Sequence, residues 1–179
     1  MRISALEEYG LRCALQLARA KLKNELIAAS VISEKEGLSV EYVSKIMHLF
    51  RKSGLVLSTR GIQGGFALAK DPHEVSVKAV LDIVSESQKS SANVADFCKS
   101  HKGLQTEACV HSETCSIRPL WTFVFDVFDR VLVSITLADL LGEAALLTKK
   151  IRGASSLELY VPAAAAAAPT PARMLGDLQ

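Results

Sequence analysis

The chain has 179 residues, of which 49 % are hydrophobic and 22 % charged, and its formal net charge is +2. This composition excludes a mainly disordered chain, and no uncharged apolar run reaches the roughly 18 residues of a membrane span. Glu7 and Glu8 stand where a signal peptide would need its apolar run. The sequence therefore favours a cytoplasmic protein with no membrane partner.

The first 84 residues predict a winged helix-turn-helix. Ser4 followed by Glu7 forms a capping box, which predicts a helix from about residue 5. A short helix is expected over residues 28–36. Ser39 can cap a third helix, whose apolar residues recur at i, i+3, i+4 and i+7. Two strand-like segments on either side of the glycine-rich residues 59–65 predict a β-hairpin.

Basic charge is concentrated in this module, which favours a solvated face when taken alone and indicates DNA binding only together with the predicted fold. Residues 1–80 hold 12 Lys/Arg against 8 Asp/Glu, whereas residues 81–179 hold 9 against 11. The second helix of the pair is slim enough for the major groove, and Arg60 at the hairpin tip can enter a narrow minor groove. The polar side of that helix carries Tyr42, Ser44, Lys45 and His48. The alternative is a helical domain with an incidental hairpin.

Residues 85–114 form a polar stretch that predicts a loop, and residues 85–118 are the cysteine-bearing segment, for which metal or cluster binding is one interpretation. Three of the four cysteines lie in it: Cys98, Cys109 and Cys115. In a reducing compartment such thiolates favour an iron–sulfur cluster, zinc or copper(I), although the close Cys pair usual in structural zinc sites is absent. His101 and His111 are nearby candidates for a fourth ligand, and three unremarkable thiols are the alternative. Cys13 falls within the first helix's pattern and is interpreted as a core residue.

Residues 119–145 predict a long dimerisation helix. Pro119 sits where a helix begins, and the apolar residues after it cover more than one helical stripe. A helix that is apolar on two sides must be buried on two sides, which indicates a homodimer. A fully buried central helix would need more surrounding protein than the chain supplies. Over residues 153–179, prolines that bracket six alanines predict a low-complexity, flexible tail.

The expected fold class is mainly α with a small β-hairpin, as a winged helix-turn-helix plus a long dimerisation helix. Four features resemble the winged-helix bacterial regulators that include IscR, NsrR, RirA and CymR: an opening helix, a recognition helix, a wing, and a last cysteine followed by a dimerisation helix. The segments that carry the resemblance are residues 1–4 with 9–12, 38–43 with 49–56, 60–68, and 115–121 with 135–141. It covers roughly residues 1–145.

The resemblance implies a homodimeric transcription regulator that binds a palindromic double-stranded DNA operator. In cluster-binding members three cysteines hold an iron–sulfur cluster, and the residues that match them in order are Cys98, Cys109 and Cys115. Arg118 stands where some members have a ligating His, so the implied fourth ligand is Glu8 of the partner subunit, while Glu7 is expected to be solvated. The first cysteine gap is longer than in the family, which leaves both [2Fe-2S] and [4Fe-4S] open.

For DNA, the resemblance makes Arg60 the wing residue that enters the minor groove. The expected base-facing residues are Tyr42, Ser44 and Lys45. The expected phosphate contacts are Ser39, Arg51 and Gln63. The predicted function is a switch whose operator affinity is gated by a cluster that senses redox state, nitric oxide or iron. The alternative is a cluster-free winged-helix repressor controlled by a protein or small-molecule partner. An enzyme is not expected, because no convincing base accompanies the thiols.

Overall fold

The computed structural model describes residues 3–61, 64–88 and 114–155, together with positions 94, 95, 98, 109 and 111. Within these residues the chain forms seven α-helices and one two-stranded antiparallel sheet, which confirms the expected fold class. The elements are α1 (Ala5–Leu22), α2 (Ala29–Glu36), α3 (Val40–Lys52), β1 (Val56–Thr59), β2 (Gly65–Leu68), α4 (Val77–Gln88), α5 (Arg118–Ser134), α6 (Leu137–Leu141) and α7 (Ala144–Ser155). No helix in the described ranges is long and apolar enough to cross a bilayer.

Capping residues set the helix boundaries of the N-terminal module. Ser4 Oγ accepts a hydrogen bond from the Glu7 backbone N–H, and the Glu7 carboxylate accepts one from the Ser4 N–H, so the predicted capping box starts α1. Ser39 Oγ accepts from the Tyr42 N–H and starts α3. Helix α2 stops at Gly37, whose φ of 65° is a left-handed conformation that glycine adopts without strain.

The hydrophobic core lies where α1, α2, α3, α4 and the hairpin meet. The apolar stripe predicted for α3 is confirmed, because its four residues are all buried in this core: Val43, Ile46, Met47 and Phe50. From α1, Cys13 and Leu17 are fully buried against them, which confirms that Cys13 is a core residue. Each large side chain buried in this way stabilises the fold by about 1.5–3 kcal/mol, so packing holds α3 against α1.

The dimerisation helix predicted over residues 119–145 is interrupted at its C-terminal end. Helix α5 ends at Ser134, and the chain is extended at Ile135, whose C=O accepts a hydrogen bond from the Val77 N–H at 2.8 Å. Ile135 and Leu137 are both buried. A continuous helix would carry these two side chains away from the N-terminal module. The chain therefore leaves the helix at Ile135, and this places Leu137 in the core of the module.

A new cap then restarts the helix. Thr136 Oγ1 accepts from the Asp139 N–H, and the Asp139 carboxylate accepts from the Thr136 N–H, which forms a capping box for α6. Burial tends to raise the pKa of Asp139, but hydrogen bonds from Lys150 and Thr136 hold that pKa at about 2. The Lys150 ammonium, 2.5 Å from the Asp139 carboxylate, links α7 to α6. Helix α7 extends to Ser155, past the predicted start of the tail, and residues 156–179 lie outside the described residues.

Helices α1 and α4 approach each other closely at a glycine. A Cβ added to Gly10 would lie 2.8 Å from Val84 Cγ2, which is closer than carbon atoms tolerate. Both residues are buried. The absence of a side chain at position 10 therefore sets the distance between the two helices.

Replacing Gly10 with alanine should destabilise the protein, although alanine favours helices. The β-branched Val84 is stiff at χ1, and overpacking costs about 1–3 kcal/mol against about 1 kcal/mol gained in helix propensity. We expect a lower midpoint of urea denaturation for Gly10→Ala. Gly153→Ala in α7 is the control, because nothing lies within 4 Å of its added Cβ, and its midpoint should stay level or rise. Equal effects of the two substitutions would contradict the packing argument.

Candidate nucleic-acid interface and metal ligands

A basic cleft of about 460 Å³ lies between α3 and the β-hairpin. One wall is formed by Ser44, His48 and Arg51 of α3, and Arg60 at the end of β1 forms part of the other. All four side chains are exposed. The structure thus brings together three of the residues predicted to bind DNA, from two elements separated in sequence.

The hairpin that carries Arg60 is built around glycines. A Cβ on Gly64 would lie 2.3 Å from the Thr59 carbonyl oxygen, so only glycine allows the turn to close. The second strand is also tied to the rest of the module, because Phe66 N–H donates to the Ile27 C=O at 2.8 Å and Ile27 N–H donates to the Phe66 C=O at 3.0 Å. These bonds hold the hairpin, and Arg60 with it, against the segment that precedes α2.

The other predicted DNA-binding residues divide into three groups. Lys45 and Ser39 are exposed on α3 and at its N-cap, as predicted. Tyr42 is half-buried, and it lies about 160° from Ser44 around the helix, since each residue advances by about 100°. Its ring packs edge-on against Tyr9 of α1, with 5.7 Å between centroids, so the structure places Tyr42 beside α1 and not in the cleft. Gln63 lies outside the described residues.

A polar network on α1, which sequence reasoning missed, joins three helices. Arg12 Nε donates to Glu36 Oε2 at 2.7 Å, and this hydrogen bond is the main cause of a raised pKa of Arg12. Gln16 Nε2 donates to the other Glu36 oxygen, and the Arg12 guanidinium lies 5.6 Å from the Tyr9 ring centroid. Tyr9, Arg12 and Gln16 are spaced at i, i+3 and i+7, which places them on one face of α1. This pattern in the sequence could have predicted the network.

Two adjacent carboxylates at the start of α1 have different environments. The prediction that Glu7 is solvated is wrong, because Glu7 Oε1 accepts a hydrogen bond from Ser85 Oγ of α4 at 2.6 Å. Burial tends to raise the pKa of Glu7, but hydrogen bonds from Ser85 and Ser4 hold that pKa below its ordinary value. Glu8 is exposed. The structure therefore commits Glu7 to its own chain and leaves Glu8 accessible.

The three cysteines predicted as cluster ligands do not form a metal-binding group within the described residues of one chain. All three are half-buried free thiols: Cys98, Cys109 and Cys115. In the part of the chain that the structure describes, no three His, Cys, Asp or Glu side chains form a group that could hold a metal. Soft thiolates and one accessible carboxylate are a donor set that suits iron. Burial raises the pKa of the Cys13 thiol to about 12, which removes Cys13 from that set.

The chain is similar to known proteins at three levels: a family model, curated relatives and solved structures. The family model described as "Rrf2: Iron-dependent Transcriptional regulator" matches residues 3–143. The HTH-type transcriptional regulator IscR of Serratia proteamaculans is 31 % identical over 142 residues, which cover 79 % of this chain and 80 % of the relative.

Solved structures give the same match in three dimensions. IscR of T. potens superposes with a TM-score of 0.60 at 27 % identity, over 79 % of this chain and 86 % of that one. CymR, the global cysteine regulator of B. subtilis, superposes with a TM-score of 0.62 over 78 % of this chain and 95 % of that one. Its 24 % identity supports the fold alone.

Glu7→Gln should lower the stability of the protein in a pH-dependent way. Because the pKa of Glu7 in the folded chain lies below its ordinary value of 4.5, the charged form stabilises the fold above that value. The contribution is lost as pH falls through the folded pKa. Urea denaturation should therefore show a difference from the parent at pH 7 that shrinks below about pH 4.5. Glu34→Gln, at an exposed position of α2, should change little at either pH. A difference that does not vary with pH would contradict this assignment.

Proposed function

Because this chain belongs to the Rrf2 family of iron-dependent transcriptional regulators, we propose that it is a homodimeric DNA-binding regulator whose operator affinity is gated by an iron–sulfur cluster. The observation that carries the proposal is the basic cleft between α3 and the hairpin, with Arg51 and Arg60 on its two walls. The free loop cysteines and the accessible Glu8 support the gating.

In the proposed complex, α3 enters the major groove. Ser44 and Lys45 face the base edges, because both are exposed on the side of α3 away from the core. Arg60 reaches the adjacent minor groove from the hairpin, while Arg51 and Ser39 contact phosphates and set the register. Tyr42 supports α3 through Tyr9 in this arrangement. A phosphate contact from Gln63 stays a prediction.

The proposed dimer is supported by the exposed apolar side of α5. No residue of α5 is buried in the single chain. On one side of α5, Leu120 and Val124 are 54 % and 38 % exposed, although α5 already packs against α4, where Lys78 lies 3.7 Å from Asp129. A second copy would remove this surface from water, at about 25 cal/mol per Å² of apolar area. It would also hold two recognition helices at a fixed spacing, which a palindromic operator requires.

The residues that would hold the cluster are the three loop cysteines with Glu8 of the partner subunit. When bound, an iron–sulfur cluster would supply a link between subunits that depends on iron and is sensitive to oxidants and nitric oxide. A carboxylate is a harder donor than thiolate and is the weakest expected ligand. The donor set is compatible with [2Fe-2S] and with [4Fe-4S].

The start of α1 supplies a short route from this ligand to the DNA-binding surface. Glu7 holds α1 to Ser85 of α4, and α4 leads into the cysteine loop. Tyr9, next to Glu8, packs on Tyr42 of α3. A pull on Glu8 would therefore move a helix that contacts both α4 and the recognition helix. Since half-site spacing depends on that geometry, operator affinity would change.

A cluster-free repressor controlled by a protein or small-molecule partner is the second candidate. One observation favours it: in the part of the chain that the structure describes, no three metal-ligating side chains form a group within one chain. In this case the basic cleft and the dimer would still bind the operator, and the thiols would not act as metal ligands.

Arg60→Ala should weaken binding to the operator without unfolding the protein. The operator is first selected from random DNA duplexes by the purified chain, and we expect two inverted half-sites. By fluorescence anisotropy at fixed salt, loss of the minor-groove contact should raise the dissociation constant about 5- to 30-fold. Lys149→Ala, which removes an exposed cation on α7, is the matched control. Equal weakening by both variants, or a selected site without inverted half-sites, would contradict the proposed mode.

The cluster is tested by anaerobic purification with visible absorption and analysis of iron and sulfide. We expect a coloured protein, and a colourless one when Cys98, Cys109 and Cys115 are all replaced by alanine. Glu8→Ala should lose its iron faster than the parent, because its weakest ligand is gone, whereas Glu34→Ala should behave as the parent does. A colourless, iron-free parent with unchanged operator binding would rule out the gating and favour the second candidate.

A further inference from the structure

A second groove, of about 410 Å³, lies between the C-terminal half of α1, the turn after it and the start of α2. Its buried floor includes Ala20 and Ile27. The turn folds back over the end of α1, because the Glu25 N–H donates to the Ala20 C=O at 3.0 Å and Asn24 adopts a φ of 57°. This groove lies within the range of about 300–1,000 Å³ that is typical of ligand sites, and neither the DNA interface nor α5 accounts for it.

The sides of the groove are apolar and open to solvent. Leu22, Leu26 and Val31 all line it and are 58 %, 44 % and 38 % exposed. Single exposed aliphatic side chains are normal on a protein surface, but three around one concave site indicate a surface that binds another apolar group. An apolar groove of this kind can receive the apolar face of an amphipathic helix, whose anchor residues recur at i, i+3 and i+4.

The rim of the groove is basic. Arg19, Lys23 and Lys35 line it, with Glu25 as the opposing charge. Within the described residues none of these three cations forms an ion pair. A segment that fills this groove should therefore bring acidic side chains beside its apolar ones, since complementary charge steers association and fixes orientation.

The position of the groove favours a protein over DNA as its occupant. Ala28 lines both this groove and the DNA-facing cleft, so an occupant would lie next to the bound operator. A DNA backbone would satisfy Arg19 and Lys23, but it offers nothing apolar to cover Leu22, Leu26 and Val31. An acidic amphipathic helix satisfies both requirements.

We propose that this groove docks an acidic amphipathic helical segment of another protein beside the bound DNA. The regulator would then present two surfaces next to each other: the cleft for the operator and the groove for a protein. Contact through the groove does not depend on the cluster. The groove is therefore expected to work whether or not the gating proposal holds.

The proposal is tested with the full chain and a fluorescein-labelled probe peptide. The peptide has leucine at i, i+3, i+4 and i+7 and glutamate at most other positions. We expect a dissociation constant in the micromolar range, and at least about tenfold weaker binding for Leu26→Asp and for the double variant Arg19→Glu, Lys23→Glu. Leu146→Asp and Lys149→Glu, at exposed positions of α7, are the matched controls and should bind as the parent does. Thermal melting checks that each variant is folded.

Four outcomes would overturn the proposal. The first is no binding of the peptide, or equal loss in Leu146→Asp. The second is binding that tightens about tenfold in a chain ending at Ser155, because residues 156–179 would then be the occupant. The third is a change of solution mass in Leu26→Asp, which would make the occupant a second copy. The fourth is that the double variant Arg19→Glu, Lys23→Glu loses affinity for the operator but still binds the peptide, which would make DNA the occupant of the groove.

Discussion

The close contact of α1 with α4 at Gly10 and Val84 is the constraint on which the rest of the structure depends. Because position 10 has no side chain, the two helices approach until Val84 fills the space. That approach brings Glu7 within hydrogen-bonding distance of Ser85, one turn before Gly10 on α1. The residues that follow are then presented in fixed directions around the helix.

As a result, three consecutive residues of α1 have three different environments. Glu7 is tied to α4, Glu8 is exposed, and Tyr9 packs on Tyr42 of α3. One turn later Arg12 binds Glu36 of α2. A rigid helix that contacts α2, α3 and α4 transmits a displacement at one end to all of them, since packed cores are not continuously deformable. The proposed ligand Glu8 lies on this helix, so a small displacement of Glu8 would be transmitted to α2, α3 and α4.

Much of the site was predictable from local sequence. Caps at Ser4 and Ser39, the glycines of the hairpin and the apolar stripe of α3 are signals spanning a few residues, and all of them formed as predicted. The basic cleft followed from them, because a helix with a hairpin packed beside it leaves Arg51 and Arg60 on one surface.

Residues that depend on a distant partner were not predictable in the same way. Glu7 looked like an ordinary helix carboxylate, since nothing near it in sequence reveals Ser85, 78 positions away. Tyr42 looked base-facing, but its ring is amphipathic and packs on Tyr9 once α1 and α3 are adjacent. The apolar run after Pro119 fitted one long helix, yet the chain breaks at Ile135, and this break lets Leu137 enter the N-terminal core.

The sequence by itself determined the winged helix-turn-helix, the order of its elements, the exposure of Ser44, Arg51 and Arg60, and the core role of Cys13, because periodicity, capping and turn chemistry act over short range. Only the tertiary structure decided which of two adjacent carboxylates is accessible, where α5 ends and which side of α1 faces α3. It also revealed the groove beside the cleft. These features arise from contacts between helices far apart in the chain, whose spacing is set by packing and not by any local pattern.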